Sequence, residues 1–498
     1  MNFMGVDIGS SGCKALAVDE NGNHLAIAKR EYNTVYSGDG SATINSDEVI
    51  EKCFEVIGEC SHKVKPGTIS GIGISSQGEA FTAVGNNNET LCNAMISSDV
   101  SSEAFIKDWT GNFGEERLYQ ITGHTAHPLF TLFKLLWFKD NKPELWKRTR
   151  YFLCFEDLLQ LKLGLKPSMS WSLAGRTMMF DVRKHEWDKN ILETTGITSD
   201  NLAAPLPAGS IAGTIGSDTA KQLELPENVF VVTGGHDQTC SALGAGVVDE
   251  GDAMLATGTV ECICPVFKTP TFSEVLKKNN LCTYNYSVKD LYATVAYSLT
   301  GGNIFKWFRD QFGQKEIEEA QRTGKDAYEV MLNNFDSKPS SLLALPYFTP
   351  SGTPYFDTHT KGAILGLQLS TKRSDILKAL LEGVSFEMRL NLDILESTGN
   401  KINELRWTGG GSKSKVLAQL KANVMNKKIT QLNINEAGCL GAAMLACSAG
   451  TGEPVFQLAS RWVKKSEEIY PQPEYEKWYN ERFELYKQLY KNVKSITL

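Results

Sequence analysis

The amino-acid sequence predicts an α/β fold built twice around a cleft. Three observations carry that expectation: strand-like runs alternate with helical segments from the start, a hairpin pattern near Asp249 echoes the first one, and Gly/Ser/Thr turns stand where strands should end.

Residues 3–8, 15–18 and 25–28 are apolar runs divided by Gly9-Ser10-Ser11-Gly12 and Asn21-Gly22, the pattern of a three-stranded meander. Val49, Ile50, Cys53, Val56 and Ile57 recur at helical spacing within 46–61, and 69–75 reads as a short strand. From 97 to about 200 the pattern turns helical and aromatic, with Leu132, Leu135, Leu136 and Trp137 on one stripe; helix packing within an insertion accounts for it. A second sheet-like unit is expected to begin at Phe230 and run to Asp237, followed by an echoing hairpin, 253–256 and 260–266, around Thr257-Gly258-Thr259. A helix over 374–395, a strand over 404–408 and a helix opening at Ser412 complete the second half. Tyr475, Tyr479, Phe483, Tyr486 and Tyr490 mark a packed amphipathic helix over 474–493. The boundary near Asp249 divides the chain into domains 1–248 and 249–498.

At 498 residues the chain has room for two or three domains of about 150 residues each. With 42% hydrophobic residues, 22% charged and 16 prolines, the composition excludes disordered and fibrous classes. Lys and Arg total 51 against 58 Asp and Glu, a net charge of −7 with no block of like charge, so no nucleic acid is expected as a partner. Eleven cysteines without a CxxC pair fit reduced thiols, and Cys262-Ile263-Cys264 reads as buried strand, so no structural metal is expected. The first residues lack a basic segment followed by an apolar one, and no apolar run approaches the length of a membrane span. A soluble, cytoplasmic protein without membrane partners is expected.

Three turns suit phosphate: Gly9-Ser10-Ser11-Gly12, Thr257-Gly258-Thr259 and Gly409-Gly410-Gly411-Ser412. With no side chains in the way, backbone N–H groups can converge on anionic oxygens. One such turn usually only reverses the chain; three in a duplicated frame point to a nucleotide. There is no GxxxxGK[ST], and the third turn lacks the last glycine and the later acidic residue of a dinucleotide loop, which disfavours a Rossmann oxidoreductase. That turn could instead pack its backbone against adenine or ribose. Lys14 could reach a terminal phosphate or simply be solvated. Asp7 and Asp237 each end a strand beside a turn, where one could hold Mg²⁺ through water and the other accept a proton; either alone could equally be a cap.

These motifs, in this order and over most of the chain, resemble the FGGY carbohydrate kinases. The run Gly5-Val-Asp7-Ile-Gly9-Ser10-Ser11-Gly12 is similar to the family's first phosphate hairpin, Thr257-Gly258-Thr259 to its second, and Gly409-Gly410-Gly411-Ser412 to its adenosine loop. Gly234-Gly235-His236-Asp237-Gln238 resembles the loop bearing the catalytic Asp, and Gly362-Ala-Ile-Leu-Gly366-Leu followed by 375–382 the diagnostic C-terminal motif. Thr131 to Lys134 and Trp137 to Asn141 fit an earlier motif, although Leu129 departs from it.

The resemblance implies a pair of ribonuclease H-like domains, as in actin and sugar kinases. The first would bind sugar, the second ATP, and phosphoryl transfer to a small sugar or polyol would occur between them, with a homodimer as one possible assembly. Asp237 would be the base and Asp7 would orient water on Mg²⁺. Gly9, Ser10, Ser11, Lys14, Gly258, Thr259, Gly302, Gly410, Gly411 and Ser412 would hold ATP. Gln77, Asp237 and Gln238 would hold substrate, and Glu79 and Asp99 are candidates for accepting from its hydroxyls, although either could instead be a surface loop acid. In Gln77-Gly78-Glu79 glycerol kinase would show Arg at Gly78, and xylulokinase Met-His at Gly78-Glu79; the missing side chain at Gly78 suggests room for a substrate longer than glycerol, such as a pentulose. Glycerol kinase-like or gluconokinase-like activity is the alternative, and an actin- or chaperone-like ATPase switch the alternative of another class. A match of Ser11 to Lys14 and Ser199 to Asn201 with penicillin-binding serine enzymes is accidental, since Ser11 lies between strands and no K-T-G follows.

Overall fold

The computed structural model describes residues 1–65, 67–333, 335 and 338–497. The expected meander forms: Asn2–Ile8, Gly12–Asp19 and His24–Glu31 pair antiparallel, and after the helix Ser46–Lys63 the strand Ile69–Ser76 joins Asn2–Ile8 in parallel. Phe230–His236 adds in parallel and Ile211–Thr214 antiparallel at the edge, completing a six-stranded sheet. Phe230 therefore finishes the first sheet and does not open a second unit. Val231 and Val232 point to opposite faces and both are fully buried, as a strand inside a covered parallel sheet requires. Such a run looks the same in sequence whichever sheet it joins.

In the second sheet Asp252–Thr257, Glu261–Phe267 and Ala296–Ser298 pair antiparallel. Glu404–Gly409 and Lys428–Leu432 then add in parallel and Lys465–Ile469 antiparallel. The first five strands repeat the order and senses of the first sheet, so the duplication extends well beyond the two hairpins. Ser412 stays in the turn, and the helix Lys415–Met425 starts later because the Ser414 hydroxyl accepts from Leu417 N and caps it.

The helix Ala437–Thr451 follows a second-sheet strand but lies on the first sheet, against Asn2–Ile8 and Ile69–Ser76. Gly5 and Gly73, cross-strand partners, form the saddle for it. A Cβ at Gly5 would stand 1.8 Å from Cys439 O, and one at Gly73 2.1 Å from Ala442 O, so backbone meets backbone there. The same helix packs on Asp237–Gly244. Among the described residues no helix is long and apolar enough to cross a membrane.

The expected tail helix is Pro473–Thr497. Tyr479, Phe483, Tyr486 and Leu489 bury against Leu345, Phe386 and Val424. Beneath it, on the helix Arg373–Glu396, Glu382 accepts from Tyr479 OH at 2.8 Å, and Glu387 from Tyr347 OH at 2.7 Å and from Tyr486 OH. Burial pushes both carboxyls up to about 7 from the ordinary 4.5.

Because the folded carboxyls hold their protons more tightly than the unfolded ones, this contribution to stability is complete below pH 4.5 and is lost as pH rises through about 7. Hydrogen exchange of the tail helix should accelerate across that window. Glu387→Gln, which cannot ionise, should flatten the dependence; an unchanged pH slope would show that this carboxyl does not control docking.

Candidate active site

The second and third turns meet because Thr257 and Gly409 are cross-strand partners at the ends of parallel strands. Gly410 N donates to Thr257 O at 3.1 Å, and Thr257 Oγ1 accepts from Trp407 Nε1 at 2.8 Å while donating to Glu261 Oε2 at 3.0 Å. Glu261 in turn pairs with buried Lys421. Gly302 N donates to Gly258 O at 2.9 Å, and Asn303 N to Thr259 O at 3.2 Å, so the helix Gly302–Phe312 starts on the second hairpin. A Cβ at Gly302 would lie 2.4 Å from Gly258 O, whereas one at Gly258 or Gly410 would meet nothing within 4 Å. Thus Gly258, Thr259 and Gly410 are exposed, and Ser412 is buried with its Oγ donating to Gly409 O at 2.8 Å.

In the first hairpin Ser10 and Ser11 are exposed, and the Gly9 carbonyl accepts from Tyr32 OH at 2.6 Å and Gln77 Nε2 at 3.1 Å. Lys14 does not stand free: it pairs with Glu436 at 2.7 Å, which also binds Lys29. Asp7 accepts from Ser75 Oγ at 2.7 Å, its strand partner, and burial raises its pKa.

Asp237 opens its helix one residue beyond the strand Phe230–His236, with its side chain 26% exposed. Burial, then repulsion from Asp7 and Glu79, pushes its carboxyl up to about 7. His236 Nε2 lies 3.2 Å from Asp237 Oδ1 and Nδ1 2.9 Å from Tyr284 OH. Burial and the nearby Arg176 hold that ring well below its ordinary pKa, and Nδ1 shares a hydrogen bond with Tyr284 OH. Thr239 Oγ1 also lies 2.7 Å from Ser287 Oγ, so residues 236–239 of the first half meet residues 284–287 of the second here. Gln77 Oε1 and Gln238 Oε1 are both buried and unpartnered, acceptors held ready beside the carboxylates. Glu79 is buried and held by Arg176 and by Ser97 Oγ at 2.9 Å. Asp99, also buried, braces a loop through Ala42 N, Ser101 N and Ser101 Oγ.

The insertion over 97–200 does more than pack on itself: it braces the end of the strand Phe230–His236. Glu156 accepts from Gly234 N at 2.7 Å and from Ser170 N and Oγ, and Ser172 Oγ accepts from His236 N at 3.2 Å. Together they fix a register shift between Thr233 and Gly235, just before Asp237, where an irregular strand re-aims the side chains that follow. Arg176 reaches Glu79 across 97 residues. No local spacing announces such partners; only the Gly234-Gly235 doublet hinted at an irregular strand. The expectation that Gly78 leaves room is also corrected: a Cβ there would lie 3.0 Å from the His236 ring and 3.4 Å from Arg176 Cβ, so those side chains already fill much of the space.

Residues 2–244 match the model of the N-terminal domain of the FGGY family of carbohydrate kinases, and residues 253–450 that of its C-terminal domain. A xylulose kinase of Bacillus subtilis (strain 168) is 26% identical over 99% of this chain and 97% of its own length. A gluconokinase of the same organism is 26% identical over 90% of this chain and 87% of its own. The solved structure of a ligand-bound xylulose kinase from Lactobacillus acidophilus has the same fold, with a TM-score of 0.90 at 21% identity over 100% of this chain and 99% of that one.

The crowding of carboxylates has a measurable signature. Carboxyl ¹³C NMR should find Asp237 titrating near 7, and Asp7→Asn should lower that value by removing a like charge. A titration below 5, or one unmoved by Asp7→Asn, would contradict the electrostatic account.

Proposed function

Because the chain belongs to the FGGY family of carbohydrate kinases, we propose that it transfers the γ-phosphoryl group of ATP to a hydroxyl of a small sugar, a ketose of the pentulose type. The observation that carries the catalytic assignment is Asp237: at a strand's carboxyl end, partly open to solvent, with its carboxyl pushed to about 7. A base with that affinity takes a proton near neutrality.

Each lobe is read as ribonuclease H-like, from the repeated meander followed by two parallel strands. The exposed backbone of Gly9 to Ser11 and of Gly258-Thr259 would meet the phosphates from opposite sides, with Gly302 buttressing the second turn. Gly410 and Gly411 would approach the nucleoside. Lys14 would contribute charge at the terminal phosphate, exchanging Glu436 for it. Asp7 fits Mg²⁺ held through water, since it stands at a strand's end with burial raising its carboxyl and no cation bonded to it directly among the described residues, and the ion would neutralise phosphate oxygens there. Gln77 Oε1, Gln238 Oε1 and the Glu79 carboxylate would accept from sugar hydroxyls. Asp237 then receives the attacking hydroxyl's proton while the new O–P bond forms and the bond to the β-phosphate oxygen breaks, releasing ADP. Closure of the lobes would keep water from the γ-phosphorus. Free cysteines accord with the reducing cytoplasm.

ADP release over a panel of glycerol, pentuloses, hexuloses and aldonates tests the reading, and turnover highest with a pentulose is expected. Asp237→Asn should lower kcat by roughly 10²–10⁴-fold with ATP affinity nearly intact; an unchanged kcat removes it as the base. Gly258→Val should raise the KM for ATP, because its side chain would fill the open space beside the turn where phosphate would meet the backbone. Unaltered nucleotide binding would remove this turn from the phosphate site.

A further inference from the structure

Glu79 has a left-handed backbone, φ +61°, without being glycine. Both of its ends are held. Its carbonyl accepts from Thr131 Oγ1 at 2.9 Å and from Lys134 Nζ at 3.0 Å, while its carboxylate takes Ser97 Oγ on Oε2 and the Nε and Nη2 of Arg176 on Oε1. The Arg176 guanidinium lies over the rings of Phe130 and Tyr284, 5.1 and 5.5 Å from their centroids, with Nη1 3.1 Å from His124 Nε2. Arg176 caps the helix Trp171–Gly175, and its Cβ lies 3.4 Å from the place a Cβ at Gly78 would occupy.

We propose that the buried Glu79–Arg176 pair sets the charge selectivity of the acceptor pocket, admitting uncharged polyhydroxy compounds and excluding sugar acids. The inference rests on the phosphotransfer reading above. A guanidinium is the side chain best suited to grip a carboxylate with two parallel N–H groups, and here that fork is engaged by Glu79. Lys134 is likewise occupied, by the Glu79 and Ile96 carbonyls. The imidazoles offer no charge: burial and Arg176 push His124 down to about 3 and hold His236 well below its ordinary value. Asp7 and Glu79 both raise the Asp237 carboxyl, as like charges do. An acceptor carboxylate would thus face the carboxylates of Asp7, Glu79 and Asp237 while the donors of Arg176 and Lys134 are already engaged, whereas hydroxyls find carboxylate and amide oxygens that accept from them.

The test compares kcat/KM for a neutral pentulose and for gluconate, using the full-length protein with ATP and Mg²⁺. The native chain should favour the pentulose by about 100-fold or more. Glu79→Gln, which keeps the shape but releases the guanidinium, should narrow that ratio at least tenfold, chiefly through a lower KM for gluconate. Arg176→Met, which leaves the Glu79 carboxylate uncompensated, should widen it at least tenfold and serves if Glu79→Gln fails to fold. A ratio between substrates is insensitive to a general loss of folded enzyme. Equal rates on both acceptors in the native chain, or ratios unmoved in the variants, would overturn the proposal while leaving the kinase reading intact. No ADP release with any acceptor would overturn both.

Discussion

The architecture depends on one backbone contact, the seating of the helix Ala437–Thr451 on the paired glycines Gly5 and Gly73. Without side chains between them, helix and sheet approach closely enough for the second half of the chain to complete the core of the first. The chain crosses between the two sheets on either side of this helix, so the carboxyl ends of both sets of parallel strands are brought to one cleft. Glu436, at the helix's start, grips Lys14 and Lys29 of the first meander and secures the same junction. Glu436 is nearly buried while both lysines are partly solvated, so these pairs orient the junction more than they stabilise it.

Within the cleft the governing quantity is unbalanced negative charge. Asp7 and Glu79 both act on Asp237; Arg176 pairs with Glu79, while Lys14, the strand partner of Asp7, is itself tied to Glu436. Burial and repulsion from Asp7 and Glu79 raise the Asp237 carboxyl to about 7, while burial and Arg176 hold its neighbour His236 well below its ordinary value. Glu156 works at one remove, holding Gly234 N and thereby the strand irregularity that aims Asp237.

The features legible in the sequence were those whose physics is local. A glycine turn beside an aspartate declares itself within ten residues, and so Asp7, Asp237 and the three turns could be singled out before any fold was known. The tail helix was legible for the same reason, since its buried face repeats every three or four residues. What escaped depends on distant contacts. Arg176 and Glu156 sit in a helical stretch indistinguishable by period from plain packing, and their partners lie 97 and 78 positions away. Phe230–His236 has the composition of a covered strand but carries no mark of which sheet it enters. Gly78 looked like an opening because the side chains that approach it, His236 and Arg176, come from elsewhere in the chain.

The glycine saddle also constrains how the protein is made. A nascent chain emerging from the ribosome has produced every strand of its first sheet by His236, yet the helix that covers one face of it ends at Thr451. At about 5–20 residues per second, that face waits roughly 10–40 seconds for its cover. During synthesis the amino-terminal half therefore carries an uncovered apolar sheet face, and a ribosome stalled before Thr451 would release an unfinished sheet.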